Sequence, residues 1–568
     1  MDSQDESDWD EELLERRESV TAGLLRSPYD LVAYLERAAI HAELGYPDLA
    51  AGDSYRALLL CDEVVNEGFE YHEQAIETLQ ERSADGLPKV LRKQGRRDLG
   101  SGLEALSLEG EDENKNLLHI VHLASIRCYR SLAISLLLCG CLKSAYDFCT
   151  RGLTIAPQDE ELLQAKEYIE NMARRRLKVE EVDINDLPDQ GLVRREIYPW
   201  NDHEPNRFSQ ETLEFLNGQL EETAPKCEVR VTELPTLLEA VSNADANGII
   251  PTNKQLGLFA KADIEPGETV LHEFSLLAAN NRLKESLCDA CSSELPPLTE
   301  DSTVVGCPDC DDIMFCNEDC LSRAQEEYHP AVCDKDIDTI AKDPDPREKP
   351  YALYLLLLSR ALAMAATQEK HPLELKEVKY IWGDFLPSSA NAVPHSINAP
   401  PPPVWTLPFS FKYNVSGPLH VLEKMNIDIF TSLEDYDLWV FNTLYAKFRG
   451  TASARVNPRN GHPEVAAVHP LWCLANHSCD PNVQWEWGGR MKLWCRDKRI
   501  GGKEGGIKKG EEILNHYCDI DLKVQDRREW AKGSLGGYCM CERCVKEAAE
   551  EEKGPALNSN GVHVYDDD

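Results

Sequence analysis

Cysteine and histidine fall at metal-ligand spacing in two places. In the first, Cys288-x2-Cys291, Cys307-x2-Cys310, Cys316-x3-Cys320 and His329-x3-Cys333 form four close pairs. A close pair grips a tetrahedral ion at two corners, so four pairs fill two zinc sites. Every corner is then a protein atom, which is the zinc chemistry of folding and leaves no open position for a reacting water. This segment has few large apolar residues. Metal binding, worth about 10–16 kcal/mol in finger peptides, must therefore supply most of its folding free energy. In the second place, Cys539-x-Cys541-x2-Cys544 offers three thiolates and lacks a fourth. Cys479 is the candidate for the missing corner. It stands in the polar turn Asn476-His477-Ser478-Cys479-Asp480-Pro481-Asn482. A zinc ion there would pin the C-terminal stretch to the Asn-His turn and fold Tyr517 in between.

These residues need elements to position them. Residues 256–261 and 264–271 read as two short strands around a Pro266-Gly267 turn. Val483, Trp485 and Trp487 alternate with Gln484 and Glu486 at strand period, and 513–517 predicts a second strand ending on Tyr517. Residues 351–366 are rich in leucine and alanine and predict a buried helix. Residues 435–449 place Trp439, Phe441, Leu444, Tyr445 and Phe448 at helical spacing, as a core helix does. The proline run 400–403 predicts a stiff loop, and 457–464 a loop or hairpin. Upstream, 93–115 is polar and reads as a loop, while 160–177 predicts a helix. The pairs Arg92-Lys93 and Arg96-Arg97, and the run Arg174-Arg175-Arg176, read as solvated helix ends before they read as import signals.

The order Asn-His-Ser-Cys-x-Pro-Asn, then Gly510-Glu511-Glu512-Ile513 with Tyr517, then Cys-x-Cys-x2-Cys resembles the SET domain of protein lysine methyltransferases. The eight-ligand segment resembles the MYND zinc finger in all eight positions. Together they resemble the SET and MYND domain-containing family. The resemblance implies that Cys288, Cys291, Cys316 and Cys320 hold one zinc, and Cys307, Cys310, His329 and Cys333 a second. A third would sit among Cys479, Cys539, Cys541 and Cys544. It also implies that Asn476 and His477 anchor S-adenosylmethionine, with the loop Gln255-Leu256-Gly257 passing close to it. Tyr517 would line the methyl-transfer channel as the catalytic residue and touch the cofactor. Tyr538 would cover the adenine, standing one place after Gly537, where family members carry an aromatic residue. Gln255 replaces the family's first loop glycine. The residues around Tyr34, Ala38, Ala50 and Ala57, and again around Tyr129, Ala133, Ala145 and Gly152, resemble tetratricopeptide repeats. Small residues recur there where paired helices must approach closely.

The expected fold class is α+β: a β-rich SET fold with an inserted MYND finger and a zinc-binding tail, preceded by an all-α repeat region. The expected division is an acidic segment at 1–27, helical repeats at 28–178 and a linker at 179–227. The SET domain with its zinc tail follows at 228–545, with the finger inserted at 288–333, and a disordered acidic tail at 546–568. The resemblance implies an S-adenosylmethionine-dependent protein-lysine N-methyltransferase, with histone as a family-level candidate substrate. The alternative is a catalytically weak scaffold whose repeats and finger bind partner proteins or peptides.

Composition limits the remaining classes. A formal net charge of −40, from 100 acidic and 60 basic residues, argues against a phosphate-binding surface for nucleic acid. It suits a lysine- or arginine-rich protein tail as partner. The start Met1-Asp2-Ser3-Gln4-Asp5-Glu6 has no basic or apolar leader, so the expectation is a nuclear or cytoplasmic protein that is not secreted. No apolar run is expected to reach the length of a membrane span.

Overall fold

The computed structural model describes residues 3–84, 86–92, 113–178, 180–181, 183–235, 252–281, 287–297, 299, 302–310, 313–340, 344–382, 406–456, 463–535 and 537–552. The proline run 400–403, the segment 553–568 and most of the expected loops 93–115 and 457–464 lie outside the described residues. Two units make up the chain: Met1–Glu196 with Pro387–Thr443, and Ile197–Leu386 with Leu444–Asp568.

Helices dominate the first unit: α1 (Ser3–Arg26), α2 (Leu31–Glu43), α3 (Pro47–Val65), α4 (His72–Ser83), α5 (Glu113–Cys139), α6 (Leu142–Ile155) and α7 (Glu160–Leu177). Local sequence sets their ends. Asp30 accepts the N–H groups of Val32 and Ala33 and starts α2, and Asp159 accepts that of Leu162 and starts α7. Gly45 (φ +77°) and Gly140 (φ +86°) take the left-handed conformation that ends α2 and α5 and turns the chain back. The small residues lie where helices meet: a Cβ on Gly152 would stand 2.8 Å from Tyr129 Cβ and 2.7 Å from Leu162 Cδ1.

A buried ion cluster holds this unit together. The Arg37 side chain is fully buried. It donates to Asp53 at 2.5 and 2.9 Å and pairs with Asp437 at 3.1 Å. Arg56 donates to the carbonyl of Tyr436 at 2.9 Å. Burial alone would raise the Asp53 carboxyl, but Arg37 and the His41 hydrogen bond outweigh it and hold it well below the usual range.

Two expectations change here. Residues 1–27, read as an acidic segment, carry α1, whose Leu13 and Leu24 are buried and whose Arg17 donates to His41 at 3.2 Å. The stretch 179–227, read as a linker, is packed. Gly191–Arg194 pairs antiparallel with Thr406–Phe409 in the first unit. Gln210–Thr223 is a helix that buries Leu216 and Leu220 in the second. Acidic composition hid the apolar spacing in both stretches.

Several small sheets wrap the core of the second unit. Cys227–Pro235 pairs antiparallel with Thr252–Ala260. Met491–Cys495 lies between Val483–Trp487 and Thr269–Glu273. Pro463–Val468 lies between Ala278–Asn280 and Ala452–Val456. Leu258, Leu271, Val465, Val483, Leu493, Ile507 and Ile513 form one core beneath them. The two strands expected around Pro266-Gly267 are present, with Gly267 at φ +75°, but each pairs elsewhere rather than with the other. The expected core helices are Lys349–Gln368 and Leu438–Thr451. The tail is ordered further than expected: Glu542–Glu552 is a helix, held by Glu547 pairing with both Arg527 and Arg543. Contrary to expectation, two helical stretches, Asn116–Cys139 and Lys349–Gln368, are long and apolar enough to cross a membrane. Of the most apolar 18-residue part of each, 67 % is buried in the second and 44 % in the first.

Glu273 ties the strand Thr269–Glu273 to the approach to Asn476, accepting the N–H groups of Leu471 at 3.0 Å and Trp472 at 2.8 Å. Burial pushes its carboxyl up to about 7, against the pull of those two hydrogen bonds.

Two measurements check these structures. Asp53→Ala strands the Arg37 charge in the interior and should cost about 3–5 kcal/mol. A thermal melt unchanged from wild type would mean that Asp437 satisfies Arg37 alone. Glu273 retains in the fold a proton that the unfolded chain releases near its ordinary value of 4.5. Its contribution is therefore full below that value and is lost as pH rises through about 7, a loss of about 3 kcal/mol. Glu273→Gln cannot ionise, so its urea midpoint should rise relative to wild type between pH 5 and pH 8. His469, pushed down to about 3 by burial, gives the opposite slope in both proteins and cancels in the comparison. A difference independent of pH would place the Glu273 carboxyl in the ordinary range.

Candidate active site and its thiolate clusters

The structure brings the twelve sequence-predicted ligands together in three groups. Cys288, Cys291, Cys316 and Cys320 form one, Cys307, Cys310, His329 and Cys333 the next, and Cys479, Cys539, Cys541 and Cys544 the third. In each group the ligand atoms lie within 4.8 Å of one another. Sulfur–sulfur distances include 3.9 Å for Cys291–Cys316, 3.4 Å for Cys316–Cys320 and 3.8 Å for Cys307–Cys333. In the tail they are 3.9 Å for Cys479–Cys539 and 3.3 Å for Cys479–Cys544. A disulfide needs about 2.05 Å, whereas the edge of a tetrahedron with zinc–sulfur bonds of about 2.3 Å is about 3.8 Å. The separations suit a shared ion. Local structure sets the pairs: Asn317 accepts the Cys320 N–H at 2.9 Å and caps the helix Glu318–Glu327 that carries Cys320.

The Asn476-His477 segment, expected as a turn, is a two-residue strand. It pairs parallel with Leu514–Asn515, which is all that forms of the strand expected at 513–517. Asn482 holds the two together as a backbone would, donating to the Glu512 carbonyl at 2.7 Å and accepting from the Leu514 N–H at 2.7 Å. The pairing puts Tyr517 beside His477, with ring centroids 5.3 Å apart. Tyr517 O–H donates to the Ala475 carbonyl at 2.8 Å, and its N–H donates to His477 Nδ1 at 3.0 Å. Burial pushes the His477 imidazole down to about 4, so the ring is neutral. Trp472 lies 6.4 Å from the Tyr517 ring and 5.8 Å from Trp485. The indole N–H groups of Trp472 and Trp485 are buried and unpartnered among the described residues.

Asn476 faces the first strand. Its side-chain amide donates to the Leu256 carbonyl at 3.1 Å and to Glu512 Oε1 at 2.6 Å. Both N–H bonds are thus spent inside the fold, and Oδ1 is left as the atom that can meet a ligand. Gly257 is a close approach: a Cβ there would lie 2.6 Å from Glu512 Oε1 and 3.1 Å from Asn476 Nδ2. The Leu256 side chain is buried in the core, and only its carbonyl reaches the site. Gln255 accepts a hydrogen bond from Arg207 at 2.8 Å, and Arg207 stacks over Trp382. The residue that departs from the family's glycine therefore has a partner of its own. Tyr538 stands 36 % exposed in the tail; its hydroxyl donates to Glu529, and Lys532 lies over its ring.

Sequence reasoning missed Glu512, Cys518, Trp472 and Trp485. Glu512 was legible only as part of Gly-Glu-Glu-Ile, and its half-burial raises its carboxyl against the pull of the Asn476 bond. Cys518 makes a second close set with His477 and Cys479. A cysteine directly after Tyr517 gives no spacing signal.

With this geometry in hand, likeness to known proteins is informative. A family profile for the SET domain matches residues 255–518. Histone-lysine N-methyltransferase SET5 of Yarrowia lipolytica is 38 % identical over 103 residues, 18 % of this chain and 21 % of that protein. N-lysine methyltransferase SMYD2-A of Danio rerio is 32 % identical over 88 residues, 16 % of this chain and 19 % of that protein. A SET and MYND domain-containing protein of Dictyostelium discoideum is 32 % identical over 83 residues, 14 % and 18 % of the two chains. The chain spans about a fifth of the length of the curated relatives it matches. Residues 255–518 are a SET domain of the kind carried by the SET5 and SET-and-MYND lysine methyltransferases.

Proposed function

We propose that this chain is an S-adenosylmethionine-dependent protein-lysine N-methyltransferase. The observation that carries the reading is the convergence of Gly257, Asn476 and Tyr517 within the SET match, with a cysteine cluster directly behind them. Gly257, Asn476 and His477 fit a cofactor. Gly257 lets Glu512 and Asn476 pack directly against the backbone, and Asn476 Oδ1 is left to accept from a cationic group. Gln255 and Leu256 then contribute backbone, and Tyr538 is the aromatic residue available for the adenine. The bound cofactor supplies an electrophilic methyl group on a sulfonium.

The chain's own residues prepare the amine. A free lysine has a pKa near 10.4, so only about one in a few thousand is nucleophilic at neutral pH. A wall of Trp472, Trp485 and Tyr517 strips water from the ammonium and favours its neutral form. Tyr517 spends its proton on the Ala475 carbonyl, which leaves its oxygen lone pairs toward the entering amine. It acts as an acceptor that aligns the nucleophile, not as a base.

The finger is read as a MYND module with zinc on Cys288, Cys291, Cys316 and Cys320, and on Cys307, Cys310, His329 and Cys333. The tail zinc is read on Cys479, Cys539, Cys541 and Cys544. The helical hairpins α2–α3 and α5–α6 are read as tetratricopeptide-like repeats that bind peptide or protein partners. The net charge of −40 suits a basic substrate, and histone is the candidate because SET5 relatives are named for it. A nuclear or cytoplasmic site of action follows from that substrate class.

Calorimetric titration of S-adenosylmethionine into zinc-loaded protein should show micromolar binding that is lost in Asn476→Ala. Absence of binding at millimolar cofactor would turn the reading to a scaffold that works through its repeats and finger. Tyr517→Phe should lower kcat by roughly a hundredfold through misalignment of the amine, with cofactor affinity kept; unchanged turnover removes the tyrosine from the mechanism. Metal analysis should give three zinc ions per chain, and a value of two would break the link between Cys479 and the tail.

A further inference from the structure

His477 engages both of its ring nitrogens. The Tyr517 N–H is an obligatory donor, and it ends on His477 Nδ1 at 3.0 Å. Nδ1 is therefore the unprotonated acceptor, and the neutral ring carries its proton on Nε2. Nε2 lies 3.3 Å from Cys479 Sγ, so Nε2–H donates to that sulfur. A metal shared by His477, Cys479 and Cys518, whose donor atoms also lie within 4.8 Å, would need the proton on Nδ1, facing the Tyr517 N–H. The backbone bond thus fixes the tautomer and makes His477 a donor to the cluster rather than a ligand in it.

We infer that His477 is a positioning residue that transmits the occupancy of the tail metal site to Tyr517. This rests on the assignment of Cys479 to zinc and of Tyr517 to methyl transfer. The imidazole is a rigid bridge between a sulfur and a backbone amide. A metal-bound thiolate is a fixed acceptor, and it holds the ring so that Nδ1 meets the Tyr517 N–H. Without metal, Cys479 is a thiol with its own proton and three neighbouring sulfurs to pair with, and the ring loses its anchor. The Tyr517 hydroxyl stays on the Ala475 carbonyl. The slack then falls on the backbone end of the tyrosine, which tilts the side chain that faces the amine.

Two substitutions separate the ends of the bridge. His477→Asn keeps an acceptor at the Nδ1 position but cannot reach Cys479. His477→Gln reaches Cys479 but has no atom at the Nδ1 position. The full chain is labelled with 15N-tyrosine, and the Tyr517 amide signal is identified by its loss in Tyr517→Phe. The tail site is disabled by Cys541→Ser, with two retained zinc ions as the sign that the finger is intact. The Tyr517 amide should move on Cys541→Ser in the wild-type background and stay still in His477→Asn. In His477→Gln it should already be displaced with zinc bound. Tail zinc affinity should fall roughly 10–100-fold in His477→Asn and hold in His477→Gln. The inference is overturned if the Tyr517 amide ignores Cys541→Ser in wild type, or follows it equally in His477→Asn. The amide and zinc readings need no methyl transfer, so they stand if the enzyme reading fails. If the bridge alone fails, cofactor binding and turnover remain.

Discussion

Four thiols within 4.8 Å of one another cannot ionise together without a cation among them. That constraint governs how the C-terminal region is attached. The cluster beneath the tail is built from Cys479, Cys518, Cys539 and Cys544, with Val524 and Ala531 as its only buried carbon side chains among the described residues. Leu535 and Ala548 add partial cover. So little apolar area leaves the close sulfurs as the other contact between the tail helix and the strand end. The parallel pair Asn476–His477 with Leu514–Asn515 has the same need. Two residues of pairing are marginal, and the Asn482 side chain adds two bonds to the Glu512 and Leu514 backbone where a longer strand would use its own.

Much of this site was legible in the sequence because metal ligands obey strict spacing. The four close pairs follow from spacing, their grouping into fours was what the resemblance to the MYND finger implied, and the distant partner Cys479 came from counting corners. The close approach at Gly257 was legible too, although its cause was not. The carboxylate of Glu512 and the amide of Asn476 crowd the place where a side chain would stand. Gln255 looked like an obstacle because sequence shows a side chain without its partner; Arg207 supplies that partner from another part of the unit.

What sequence could not show was order that composition conceals. The segment 179–227 is acidic and broken by prolines, yet it yields a strand in one unit and a helix in the other. The acidic stretch after Lys546 continues a helix because Glu547 meets two arginines. In each case a few contacts from distant parts of the chain outweigh local charge. The turn expected at Asn476 failed for a related reason. Strand character there comes from the partner strand, which no local pattern records.

The Arg37–Asp53–Asp437 cluster bears on how the chain is made. The first unit is discontinuous: it begins at Met1 and is completed only by Pro387–Thr443. A ribosome that has just finished Glu196 has delivered Arg37 and Arg56 but not the acidic partner Asp437. At about 5–20 residues per second, that partner arrives roughly 12–50 s later. For that interval Arg37 has Asp53, but Arg56 lacks the carboxylate it meets among the described residues. The helical region is therefore not a module that can be cut free at residue 196. Its Asp437 partner is written into the chain beyond the midpoint of residues 255–518.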